Sequence, residues 1–133
     1  CGIGHAVEIA GRVPFARIGD YLARARVGWV TWGAAAKNRK NIPTKLFEYM
    51  AYGLPVVSSD LPSTRPFVPP DVGLLAAADD PAAHAAALLR LLSNPTTANH
   101  MGAAGRRRVA AEWNWAAMET RLLGLYEAVL EEE

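Results

Sequence analysis

Residues 41–60, NIPTKLFEYMAYGLPVVSSD, restrict the fold more than any other part of the chain. They read as a loop, a helix with an open N-terminus, a glycine stop and a buried strand. Pro43 fixes φ at the entrance and Thr44 is the candidate N-cap, so the helix begins between Asn41 and Thr44. Gly53 ends it, and Pro55 forbids its continuation. At about 100° per residue, Leu46, Phe47, Met50 and Ala51 share one arc, while Thr44, Lys45, Glu48, Tyr49 and Tyr52 share the other. Leu54 to Ser59 is apolar through Val57, the pattern of a strand covered on both faces of a parallel sheet. A helix feeding such a strand has its N-terminus at the carboxyl edge, where α/β proteins bind ligands. The N–H groups of Thr44, Lys45 and Leu46 are therefore expected to point outward, unused by the helix. On a solvated face Lys45 and Glu48 are no more than a weak ion pair; beside an anion they become ligands.

The rest of the chain continues the alternation of strand and helix. Ala6 to Ala10 reads as a short strand before the turn Gly11-Arg12-Val13-Pro14. Phe15 to Arg26 reads as a helix, with Phe15, Ile18, Tyr21 and Leu22 at helical spacing. Val27 to Trp32 follows as a strand, then a polar loop from Gly33 to Ile42. Beyond the central helix and strand, Leu61 to Pro70 is broken by prolines, with room for one short turn at Ser63 to Phe67. Val72 to Ala76 is a last short strand. Asp80, as N-cap, and Pro81, at the first helical position, open a helix to Ser93. Asn94 and Pro95 break it, Thr96 or Thr97 starts a helix to about Glu112, and Trp115 to Leu130 forms the last. About four strands joined by right-handed crossovers imply a Rossmann-like parallel sheet with helices on both faces.

A chain of 133 residues is one domain's worth, able to bury roughly two-thirds of its unfolded surface. A net charge of +1 gives no support to a general nucleic-acid or membrane-surface role. The single cysteine, Cys1, excludes an intrachain disulfide and fits a reducing compartment. No signal peptide is evident, and no apolar run is long enough to span a bilayer. A first residue of Cys rather than Met suggests a chain trimmed at its start.

On the last helix, Trp115, Met118, Leu122, Leu125, Tyr126 and Val129 make a broad apolar stripe. Either it packs on this domain's own core, or part of it stands exposed or covered by a neighbour. Glu131 to Glu133 sit at the negative end of the helix dipole and are expected to fray.

The 41–60 run and its extension to LPSTR resemble the donor-binding segment of family 4 retaining glycosyltransferases, enzymes of the two-domain GT-B fold. The resemblance continues in GRVP at 11–14, YLARARVGWV at 21–30, DVGLL at 71–75, DP at 80–81 and the closing WNW and LLGLYEAVL. It implies the later part of a C-terminal, nucleotide-sugar-binding lobe, with two further strand–helix units upstream. It also implies that residues 115–131 pack back toward an N-terminal lobe that this chain lacks. The donor is then a nucleotide-diphosphate sugar and the acceptor a sugar, lipid or protein, with no metal and no nucleic acid involved. The implied setting is cytoplasmic, with room for peripheral attachment at the inner membrane face.

By this resemblance Pro43, Thr44, Lys45 and Leu46 surround the diphosphate, Glu48 holds the ribose hydroxyls, and Gly11, Arg12 and Val13 lie against the base. An exposed helix N-terminus and a lysine suit a diphosphate whose charge grows as it leaves. Glu48 accepts hydrogen bonds only, which suits paired hydroxyls. Lys37, Arg39 and Lys40 gather positive charge beside this place, either as a solvated loop or as contacts to a phosphate or acidic acceptor. Two departures stand out. Lys40 occupies the position where many members carry a sugar-reading glutamate, and the upstream phosphate-binding Arg and Lys have no counterpart. The chain alone is therefore expected to be inactive.

Other features carry less. Gly2-Ile3-Gly4 lacks a preceding strand and a third glycine for a dinucleotide fingerprint. His5, His84 and His100 are too scattered for a metal site, and Arg106 to Arg108 reads as a solvated helix face. Two rival functions stay open: a non-catalytic scaffold or regulatory lobe that binds a partner through its last helix, and a sugar-nucleotide epimerase of the same fold.

Overall fold

The structure, a computed structural model, describes residues 2–131. Cys1 and the Glu132–Glu133 end of the tail predicted to fray lie outside the described residues. Three short strands, β1 (Gly28–Val30), β2 (Val56–Ser59) and β3 (Gly73–Ala76), form one parallel sheet in the order β1-β2-β3. Gly28 pairs with Val56, and Val56 in turn with Gly73. Five helices surround them: α1 (Phe15–Leu22), α2 (Lys45–Ala51), α3 (Pro81–Leu92), α4 (Pro95–Ala111) and α5 (Trp115–Glu131).

The sheet is covered on both faces because β2 is buried throughout. On one face Val30, Val56, Val68 and Val72 pack with Leu46 and Met50 of α2 and Ala104 of α4. On the other, Val57 and Ala76 pack with Ala87 and Leu91 of α3 and Ala98 and Met101 of α4. Helix α4 thus passes from one face to the other. It crosses beneath the amino edge of β2, where a Cβ on Gly102 would lie 1.9 Å from the Gly53 carbonyl oxygen. Gly53 itself ends α2 in the left-handed region, with φ of 72°. The helix stop and the helix crossing therefore meet at one contact.

Several elements differ from the sequence expectation. Ala6 to Ala10 is no strand: a single 3-10 turn (Gly4–Ala6) leads into irregular backbone, and the segment is exposed throughout. A strand needs a neighbour to take its hydrogen bonds, and the outer edge of β1 pairs with nothing among the described residues. The sheet accordingly has three strands rather than four. Helix α1 stops at Leu22 rather than Arg26 and buries none of its residues; beyond it the N–H groups of Arg24 and Ala25 turn to the carbonyls of Tyr21 and Leu22, three residues back. Within α2, Ala51 is exposed and Tyr49 is half-buried, the reverse of the expected arcs. Tyr49 packs against Gly28 of β1, so closely that a Cβ there would lie 2.3 Å from its ring. Phe47 joins Phe67 and Trp113 in an edge-to-face triad with centroids 5.2, 5.7 and 5.5 Å apart.

The caps around α3 and α4 follow the sequence closely. Asp80 Oδ1 accepts from the N–H groups of Ala82 and Ala83 at 3.0 Å, and Asn94 Oδ1 accepts from Thr97 N–H at 3.1 Å. Helix α4 begins at Pro95, a residue or two before the expected start. Helix α5 buries no residue. Trp115 is 71% exposed, and Leu122, Leu125, Tyr126 and Val129 are exposed with it, so the stripe does not pack on this domain's own core.

Two outcomes follow for stability. Gly102→Ala forces its methyl into the Gly53 carbonyl and lowers the unfolding free energy by about 1–3 kcal/mol or more, read from the urea midpoint. Leu125→Lys on α5 shifts it by less than about 0.5 kcal/mol, because that side chain leaves no cavity behind.

Candidate functional site

Parallel strands release all of their outgoing loops on one edge. Val30, Ser59 and Ala76 end the three strands there, followed by the loops 31–44, 60–72 and 77–80. Side chains tie these loops together. Ser63 Oγ donates to the Asn38 carbonyl at 2.7 Å, and Asn38 Nδ2 donates to the Gly33 carbonyl at 2.9 Å. Ala34 N–H donates to Asp79 Oδ2 at 2.9 Å. Thr64 Oγ1, fully buried, donates to the Ser59 carbonyl at 2.6 Å and accepts from Leu61 N–H at 3.2 Å.

Beneath the loops sits His84, buried at the first turn of α3. Trp29 Nε1 can only donate, and it donates to His84 Nδ1 at 3.1 Å. The neutral ring therefore carries its proton on Nε2, which faces Ser59 Oγ at 3.4 Å. Ser59 Oγ also accepts from Trp32 N–H at 2.9 Å. This relay joins β1, β2 and α3 and is anchored in Ser59 and His84, which are almost wholly removed from water, while Trp29 keeps half of its surface exposed. The cavity above it, about 480 Å³, is lined by Trp29, Thr31, Trp32, Ser59, Asp79 and His84, among others.

On the other face, the α2 entrance is open. Thr44 and Lys45 are exposed and Glu48 is half-buried. Glu48 makes no side-chain hydrogen bond and no ion pair among the described residues, so the weak ion pair with Lys45 is absent. Its carboxylate and the loss of water together push the Tyr49 hydroxyl above its ordinary range, with desolvation the larger cause.

Two expectations at this entrance need correcting. Thr44 does not cap α2 with its side chain; its backbone is already helical, with φ of −55° and ψ of −28°. The first turn is closed by backbone instead, Leu46 N–H donating to the Pro43 carbonyl at 3.0 Å and Phe47 N–H to the Thr44 carbonyl at 3.0 Å. Of the three N–H groups expected to be free, Thr44 and Lys45 make no hydrogen bond among the described residues, while Leu46 is engaged. The Leu46 side chain is fully buried, and Pro43 is buried beside it. The structure therefore groups Pro43, Thr44, Lys45, Leu46 and Glu48 on one turn, with Lys45 and Glu48 as its available polar side chains.

Among the described residues no hydrogen bond joins Gly11, Arg12 or Val13 to this grouping. Gly11 has φ of 67° and open space around its Cα. Among the other candidates, Arg108 is half-buried and paired with Asp71 at 3.2 Å, whereas Arg106 and Arg107 are exposed. No group of three or more His, Cys, Asp or Glu side chains is placed to hold a metal among the described residues. No helix among them is long and apolar enough to cross a membrane. Sequence reasoning missed Ser59, Ser63, Thr64, Asp79 and the burial of His84. Nothing in their spacing announces a network that is assembled across three loops.

A parallel sheet with helices on both faces and an open, polar carboxyl edge defines a Rossmann-like ligand-binding domain. The profile of the glycosyl transferase-like family matches residues 3–124. The chain belongs to that family. It is similar to a phosphatidyl-myo-inositol mannosyltransferase of Mycobacterium leprae, 32% identical over 124 residues that cover 92% of this chain and 30% of the relative. A GDP-mannose-dependent monoacylated α-(1-6)-phosphatidylinositol monomannoside mannosyltransferase of Corynebacterium glutamicum is 35% identical over 81 residues, 61% of this chain and 21% of that protein. Among solved structures, sucrose-phosphate synthase from Thermosynechococcus elongatus matches 98% of this chain and 32% of its own, with a TM-score of 0.79 and 28% identity. The chain thus spans about a third or less of the proteins it matches, and its fold is the GT-B kind of α/β lobe.

The buried relay gives one expected outcome. Ser59→Ala removes the acceptor shared by Trp32 N–H and His84 and lowers stability by about 1–3 kcal/mol, measured by chemical denaturation.

Proposed function

We propose that this chain is the donor-binding part of a retaining glycosyltransferase that moves a sugar from a nucleotide-diphosphate sugar to an acceptor. One observation carries the reading: in a chain of this family, the turn at 43–48 presents free backbone N–H groups, an unpaired lysine and an unpaired, half-buried carboxylate side by side. The first two suit a diphosphate and the third suits ribose hydroxyls.

In this reading the N–H groups of Thr44 and Lys45, with the Lys45 ammonium, hold the diphosphate. Glu48 accepts from the ribose, Pro43 and Leu46 fix the turn from below, and Gly11, Arg12 and Val13 face the base. Negative charge builds on the diphosphate as the glycosidic bond breaks, so the same donors stabilise the transition state more than the ground state. No step in this scheme calls on a metal ion. The apolar stripe of α5 is covered, in the whole protein, by a second lobe. The names of two relatives specify phosphatidylinositol-containing acceptors, which supports a glycolipid acceptor for an enzyme attached to the membrane from one side.

Titration of the full-length protein with GDP and with UDP tests the assignment. Lys45→Ala removes a charge-assisted hydrogen bond of about 1.5–3 kcal/mol and weakens diphosphate binding about tenfold or more. Glu48→Ala weakens nucleotide binding to a similar degree and leaves binding of inorganic pyrophosphate unchanged. Full nucleotide affinity in both variants excludes these roles.

A further inference from the structure

Asp79 stands in the left-handed region, with φ of 62°, and among the described residues it is the one non-glycine that does. L side chains seldom adopt this backbone, although aspartate tolerates it better than most. A glycine would make the turn between β3 and α3 without strain, so the side chain has to contribute something. It does not cap α3, because Asp80 does that. It makes no ion pair among the described residues. What it does is reach across the sheet edge into the loop that follows β1.

The fit there is close on both sides. Oδ2 accepts from Ala34 N–H at 2.9 Å. Oδ1 lies 2.8 Å from where a Cβ on Gly33 would be, so a side chain at residue 33 would push the carboxylate from its present place. The Gly33 carbonyl then accepts from Asn38 Nδ2, and Ser63 Oγ holds the Asn38 carbonyl. The loop is pinned at its root by Asp79 and at its middle by Ser63. Lys37 lies between those ties and Arg39 and Lys40 follow directly on the second, and the loop runs on into the turn that bears Lys45 and Glu48. Its own regular structure is one 3-10 turn (Ala36–Arg39).

We propose that Asp79 is a positioning residue for donor binding: a carboxylate latch that holds the 33–42 loop in place before the ligand arrives. This rests on the donor-binding reading above. A strained backbone retained where the side chain ties down a ligand-facing loop is how preorganisation is built into a site. The ligand then meets lysines and an acceptor that are already in place, and less binding free energy goes into ordering them.

The test uses the full-length protein and three variants. Asp79→Gly removes the latch while relieving the backbone, so folding and function separate. The expected result is an unchanged or raised unfolding midpoint, hydrogen exchange at the Ala34 amide faster by about tenfold, a donor KM raised about five- to tenfold, and kcat within about twofold. Asp79→Asn keeps an acceptor oxygen and restores most of the donor KM. Asp79→Ala loses the latch without the backbone relief, so it shows the same KM with a lower midpoint. Wild-type exchange at Ala34 together with a wild-type donor KM in Asp79→Gly overturns the latch, provided that the parent binds nucleotide. A parent that binds neither GDP nor UDP overturns the donor reading itself, and the latch's function falls with it. The two failures are therefore told apart by the parent protein before any variant is made.

Discussion

Every polar feature of interest lies on one edge because parallel strands leave no choice about where their loops emerge. Each strand must be followed by a return segment that runs back to the amino edge, so the chain leaves each strand at the same side. The burial of Val56 and Val57 on opposite faces makes this arrangement stable, since each face of β2 is closed by a different set of helices. Crossing below them, α4 is held by the contact of Gly102 with Gly53 at the amino edge of β2. At the amino edge backbone therefore packs on backbone, whereas the carboxyl edge gathers the outgoing loops and their polar groups.

The sequence revealed what depends on local rules. Gly53 and Pro55 marked the end of α2, Asp80 with Pro81 marked the start of α3, and Asn94 with Pro95 separated α3 from α4. Each signal acts within a few residues of itself. The family resemblance, carried by residues 41–65 and the shorter words around them, agrees with the family match over residues 3–124. Features that need a distant partner were not legible. Ala6 to Ala10 has strand composition and yet no strand beside it, so it stays irregular. Thr44 has the chemistry of a cap, but the Pro43 carbonyl closes the turn first. The half-burial of Tyr49 depends on Gly28, a residue of another element that leaves room for the ring. The turn with Lys45 and Glu48 was legible in sequence as a candidate place, and the hydrogen bonds around the loops were not, because those of Asp79, Ser63 and His84 span 45, 25 and 55 residues.

The carboxyl edge divides into two kinds of polar residue with different tolerance to change. Ser59, Thr64 and His84 are nearly sealed from water, and no buried side-chain nitrogen or oxygen among the described residues lacks a partner. A network of that kind stands or falls together, since loss of one member strands the next. Lys37, Arg39 and Lys40 are exposed, and none is in an ion pair among the described residues. Replacing them disturbs no buried group. Lys40 is a case in point: the resembled family often has glutamate there, and the loop's ties run through the backbone of Gly33, Ala34 and Asn38 rather than through the side chain of residue 40. A loop fixed by its backbone and free in its side chains can present a different charge to the same crevice without being rebuilt. The charge at this edge can therefore change while the sheet, the relay and the backbone ties of the loop stay as they are.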